Sequence, residues 1–151
     1  TAREYEYVIV RWMDPFRRHY AWGTDYKLDL DKMQYALEPL KGKLDCTGFC
    51  VAQSLPPTAW CEFKHIALIE RGDTLHFEVC CNRFLHGMVR SLIGTLHDIG
   101  RGRYSADQMS RILDQKDRTL VGQTAPPQGL FLRSVYYKDF VTGSPSARNN
   151  D

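Results

Sequence analysis

From Arg3 to Trp12 the chain alternates, with Tyr5, Tyr7 and Ile9 falling on one face of a stretch rich in aromatic and β-branched residues. A period of two in such residues predicts a strand. A loop carrying Pro15, Arg17, Arg18 and Gly23 follows. From Asp31 the apolar positions change to Met33, Ala36, Leu37 and Leu40, the spacing of a helix with Gln34 at capping-box distance from Asp31. Pro39 should cut that helix short. Leu75, Phe77 and Val79 alternate against His76 and Glu78, so 61–70 and 74–81 read as a hairpin around Arg71-Gly72-Asp73. The stretch 53–58, with Pro56 and Pro57, reads as a loop.

The longest periodic run is 84–99, where Leu85, Met88, Val89, Leu92, Ile93, Leu96 and Ile99 recur at helical spacing until Gly100 and Gly102. Ser105, with Gln108 three residues on, is expected to cap a second helix whose buried stripe is Met109, Ile112 and Leu113. Leu130–Tyr137 alternates again as a strand, and 142–151 is expected to be a loose polar tail. Strand, helix, hairpin, two helices and strand in that order predict an α+β domain over 1–141, an antiparallel or mixed sheet with helices packed on one face.

Composition narrows this picture only slightly. A chain of 151 residues, 43% hydrophobic and 25% charged, has room for one ordinary globular domain. Its net charge of +2 does not by itself announce a nucleic-acid binder, so any such surface must come from local clusters, with Arg17, Arg18, Arg101 and Arg103 as candidate phosphate contacts. No stretch is apolar enough for a membrane span, and the first residues resemble neither a signal nor a transit peptide. Five cysteines (Cys46, Cys50, Cys61, Cys80, Cys81) lack the spacing of a disulfide framework. Reduced thiols point to an intracellular protein, cytoplasmic or organellar. Cys46 and Cys50 have no downstream pair with zinc-ligand spacing, so no metal is expected.

On a helical wheel His86, Arg90 and His97 form a polar flank of the 84–99 run, and Gly87, Ser91 and Gly94 form a stripe of small residues. Interior glycines cost about 1 kcal/mol each relative to Ala, so something is expected to approach this helix closely. The wheel alone leaves Arg90 open to two readings, a solvated surface charge or a functional one. Tyr5 is likewise open between strand packing and function, and Leu130 taken alone reads as core.

The text Phe84-Leu85-His86-Gly87-Met88-Val89-Arg90-Ser91-Leu92-Ile93-Gly94-Thr95-Leu96, followed by Gly100-Arg101-Gly102, closely resembles the signature helix of the TruA-type tRNA pseudouridine synthases. Lys116-Asp117-Arg118-Thr119-Leu120 and Thr124-Ala125-Pro126-Pro127-Gln128-Gly129-Leu130-Phe131-Leu132 resemble the same family's closing motif. The opening Arg3-Glu4-Tyr5-Glu6-Tyr7 looks like its Arg-x-Tyr-x-Tyr strand, and Asp45-Cys46-Thr47-Gly48-Phe49 is a weaker match to a further element, from which Cys46 and Gly48 depart. Residues 60–64 also depart from the family's usual strand text.

The resemblance implies the C-terminal domain of the pseudouridine synthase fold and an isomerase that turns uridine into pseudouridine in the tRNA anticodon arm. It implies no metal or organic cofactor, tRNA as partner, and a homodimer. It also implies that Tyr5 packs on the target base, Arg90 pairs with the catalytic Asp, and Leu130 walls the uridine pocket. Family members carry that Asp in a Gly-Arg-Thr-Asp-x-Gly-Val-His motif ahead of the Tyr strand, and no such string occurs in this sequence. Asp117-Arg118-Thr119 has similar letters in another order and belongs to the closing motif. The chain is therefore expected to be a C-terminal fragment, inactive alone. The alternative is a non-catalytic RNA-binding or ribonucleoprotein-scaffold protein that kept the fold.

Overall fold

The computed structural model describes residues 1–12 and 15–137, together with the backbone of 141–143. Its strands are β1 (Ala2–Val10), β2 (Trp22–Gly23), β3 (Gly42–Asp45), β4 (Trp60–Arg71), β5 (Thr74–Cys81), β6 (Leu130–Tyr136) and β7 (Val141–Gly143), and its helices are α1 (Leu30–Ala36), α2 (Met88–Gly100) and α3 (Gln108–Gln115). The strands form one sheet in the order β3-β4-β5-β1-β6-β7, with the short β2 pairing parallel to the end of β1 and the other pairs antiparallel. This is the mixed-sheet α+β fold expected from the element order.

Register fixes which side of the sheet is buried under helices. Tyr7 lies opposite Phe77, which lies opposite Leu68. These residues share one core with Met33 of α1, Leu92, Ile93 and Leu96 of α2, and Met109 and Ile112 of α3. The other face is polar: Glu6 is buried there between His76 Nδ1 at 2.8 Å and Arg133 at 2.5 Å. A carboxylate in that position is stabilised by two charge-capable donors. All five cysteines are buried and free.

Four boundaries differ from the sequence reading. Asp29, not Asp31, caps α1, accepting from Lys32 N at 3.1 Å, while the Gln34 side chain donates to Leu68 O at 2.7 Å and so ties the helix to β4. The second helix begins at Met88 instead of Phe84, because Gly87 is left-handed at φ +72°, a conformation that no right-handed helix passes through. Ser105 does not cap α3 through its hydroxyl. Its backbone carbonyl accepts from Gln108 N, and the Gln108 amide reaches Leu120 O at 2.7 Å. Residues 141–143 pair with β6 as a short edge strand, and 144–151 of the expected tail lie outside the described residues.

Candidate active site

A cleft of about 530 Å³ opens beside the start of β1 and the first turn of α2, lined among others by Arg3, Tyr5, Phe84, His86, Arg90 and Leu130. Tyr5, Arg90 and Leu130 lie far apart in the chain, and the fold brings all three to its wall. The left-handed Gly87 turns the chain sharply before α2 and lets 84–87 form the rim. Phe84 from that rim meets the Tyr5 ring edge-on at 4.9 Å and 87°, so the half-buried Tyr5 ring is held upright by a favourable T-shaped contact. Leu130 stands opposite Tyr7 in the β1–β6 register, half-buried at the cleft edge.

Arg90 is fixed from behind. Its Nε donates to Ala125 O at 2.6 Å, and Ala125 N donates back to Arg90 O at 3.0 Å. Neither terminal guanidinium nitrogen has a hydrogen-bond partner among the described residues. A guanidinium anchored through Nε presents a planar two-nitrogen fork, the geometry that receives a carboxylate. None of the residues lining the cleft is Asp or Glu.

The segment that holds Arg90 is a strap, 117–126, which starts with a 3-10 turn at Arg118–Leu120 and then runs irregularly along α2. Arg118 donates to Ser91 Oγ at 2.6 Å and to Phe49 O at 3.0 Å. Gly122 N donates to Thr95 Oγ1 at 3.0 Å, and Gln123 donates through its backbone and its side-chain amide to Asp98, at 3.0 and 3.2 Å. A Cβ on Gly94 would lie 1.5 Å from Gln123 O. Ser91 and Gly94 of the small-residue stripe are therefore the bed of the strap, the close approach expected from the sequence, whereas Gly87 precedes the helix and has Val51 as its near neighbour. The 45–49 element secures the other side: Asp45 accepts from Thr47 N and Oγ1, which holds its carboxyl below the usual range, and Gly48 leaves no room for a side chain against Ile112, where a Cβ would come within 2.8 Å.

The expected polar flank of His86, Arg90 and His97 is divided by the structure. His86 precedes the helix and is exposed at the cleft, whereas His97 is buried near the far end. His97 stacks on Trp22 at 4.2 Å, its Nε2 meets Thr24 Oγ1 at 2.7 Å, and burial pushes its pKa down to about 4. Of the four arginines expected to meet phosphates, three are paired with acids, Arg17 with Asp73, and Arg101 and the half-exposed Arg103 with the fully buried Asp98. Arg18 has only its neighbour His19 as a partner among the described residues. The sequence reading missed Arg3 at the cleft and Tyr7, Asp98 and Gln123 behind it. For Tyr7 the available signal was the second tyrosine of the Arg-x-Tyr-x-Tyr text.

Among the described residues, no group of three or more His, Cys, Asp or Glu side chains is arranged to hold a metal ion, and no helix is long and apolar enough to cross a membrane.

A family model described as tRNA pseudouridine synthase matches residues 36–138. A tRNA pseudouridine synthase A from Exiguobacterium sibiricum is 38% identical over 143 residues, which cover 95% of this chain and 57% of the relative. Proteins of the same name from Syntrophomonas wolfei and Streptococcus pneumoniae are 39% and 37% identical over 89% and 91% of this chain, and 55% and 57% of their own lengths. The chain thus spans a little over half the length of these curated relatives.

Proposed function

This chain belongs to the tRNA pseudouridine synthase family, and from that premise we propose that it forms one wall of a synthase site that isomerises uridine to pseudouridine in the tRNA anticodon arm. The observation that carries the reading is the convergence of Tyr5, Arg90 and Leu130 on one cleft, with the fork of Arg90 open to a carboxylate that no lining residue supplies. The nucleophilic Asp comes from the further length that the relatives possess, and residues 1–141 act as the C-terminal domain of the complete protein.

The reaction breaks the bond between the ribose and N1 of uracil, turns the base, and rejoins it through carbon five with loss of the carbon-five proton. Such chemistry needs the base out of its stack and held by apolar and aromatic surfaces, which Leu130 and Tyr5 provide. It needs the attacking carboxylate ionised in a site closed to water, and the Arg90 fork favours the charged form through paired charge-assisted hydrogen bonds. No organic cofactor enters this scheme. The working form is a homodimer in the cytoplasm with tRNA across both subunits, and Arg18, whose partner among the described residues is His19, is the first of the four arginines to meet a phosphate.

Release of tritium from tRNA labelled at carbon five of uridine tests the reading. The isolated chain is expected to release none, and the complete protein to release it stoichiometrically with pseudouridine. Turnover by the isolated chain would overturn the reading, because the nucleophile would then lie within these residues. Binding without turnover by the complete protein would favour the non-catalytic scaffold instead.

A further inference from the structure

Tyr7 lies two residues beyond Tyr5 on the same face of β1, yet it does not line the cleft. It is completely buried. Its ring meets Trp22 edge-on at 6.3 Å, and Gly129 packs so closely beneath it that a Cβ there would come within 2.8 Å of Cε1 and Cζ. The ring therefore has no freedom to shift. Its hydroxyl donates to Pro126 O at 2.5 Å.

Pro126 directly follows Ala125, whose carbonyl takes the Arg90 Nε–H and whose N–H returns a bond to Arg90 O. One residue of backbone thus separates the Tyr7 hydroxyl from the anchor of the guanidinium. The strap is held upstream of Ala125 by Thr95 and Asp98, through Gly122 and Gln123. Downstream, Pro126 has no N–H to donate, so its carbonyl is the group through which the strap can be held, and Tyr7 holds it. Burial raises the Tyr7 pKa well above the usual phenol value, so the hydroxyl remains a donor throughout the working pH range.

We propose that Tyr7 is a positioning residue of the synthase site, acting through Pro126 and Ala125 to hold Arg90 Nε so that the guanidinium fork keeps a single orientation toward the catalytic carboxylate. The inference rests on the reading of Arg90 given above. Tyr7 touches neither base nor carboxylate, so it contributes geometry and no chemistry of its own. A misplaced fork lowers the rate of the chemical step more than it weakens the grip on tRNA, because tRNA is bound mostly through contacts elsewhere.

The test is Tyr7→Phe in the complete synthase, a substitution that keeps the ring and removes only the hydroxyl. Steady-state tritium release is expected to show kcat reduced about tenfold with KM unchanged, the range in which small misplacements act. The melting midpoint should stay within a few degrees of wild type. Hydrogen exchange at the Arg90 Nε–H, followed by nitrogen-15 NMR, should accelerate at least about tenfold, because the strap that protects it is freed at one end. Full kcat, a rise in KM alone, or an unchanged Nε–H exchange rate would each overturn the role assigned to Tyr7. Arg90→Ala in parallel separates the two layers. If it abolishes turnover while Tyr7→Phe has no effect, only the positioning role fails; if Arg90→Ala retains full turnover, the reading of Arg90 fails and takes the positioning role with it.

Discussion

The two ends of α2 both carry polar side chains, and their surroundings are opposite in kind. At the C-terminal end Asp98 is fully buried, and its oxygens receive Arg101, Arg103 and both donors of Gln123. His97 beside it is stacked, hydrogen-bonded to Thr24 and held neutral by burial. No buried side-chain polar atom at that end lacks a partner. At the N-terminal end Arg90 uses one nitrogen to grip the strap and leaves two open on a cleft. A saturated network fixes structure, whereas an anchored but unsaturated charge on a cleft is what a site offers to a ligand or a reacting group.

The largest effect should come from the residue on which both ends depend. Gly94 to Ala in an ordinary exposed helix would gain about 1 kcal/mol. In this helix the added Cβ meets the Gln123 carbonyl, so helix and strap must separate. Denaturant unfolding is expected to show a loss on the order of 4 kcal/mol, with turnover of the complete synthase abolished. A stabilised Gly94→Ala protein would break the comparison at its root.

A smaller effect isolates the saturated end. His97 is pushed down to about 4 when folded, while a free imidazole titrates near ~6.5. Between those values the unfolded chain binds the proton and the folded chain resists it, so stability is complete above about 6.5 and declines as pH falls toward 4. The decline attributable to His97 is on the order of 3 kcal/mol. It should be missing from the urea-unfolding pH profile of His97→Gln, and an unchanged profile would mean that His97 is not the titrating group.

Much of this contrast was legible in the sequence, though not its division. The alternation in Arg3–Trp12, the hairpin about Arg71-Gly72-Asp73 and the 3.6-residue period leading to Gly100 are local signals, and they survive as β1, β4–β5 and α2. The small-residue stripe announced a close approach, and the strap provides it. What periodicity could not reveal was long-range pairing. The bonds from Gln123 to Asp98 and from Arg90 to Ala125 join residues far apart in the chain, whereas Arg101 stands three residues from Asp98, a local helical spacing whose ion pair the sequence did offer. The short β2 and β3 exist by pairing with β1 and β4, so they had little periodic text of their own. Tyr5, Arg90 and Leu130 were singled out by motif text, since alone they read as a strand aromatic, a surface charge and a core leucine.

The smallest of these stability effects and a full loss of turnover should coincide at Arg90, where removing the side chain strips the buried Ala125 carbonyl of its charged donor at a cost of about 2 kcal/mol. The decisive measurement is therefore tritium release from carbon-five-labelled tRNA by the complete synthase carrying Arg90→Lys beside Arg90→Ala. If the guanidinium grips a carboxylate as a planar fork, a point-charge ammonium cannot replace it, and Lys is expected to be nearly as inactive as Ala at a melting midpoint no lower than that of Ala. Recovery of most of the turnover by Lys would contradict the account, leaving Arg90 as a general positive charge and the cleft without its carboxylate clamp.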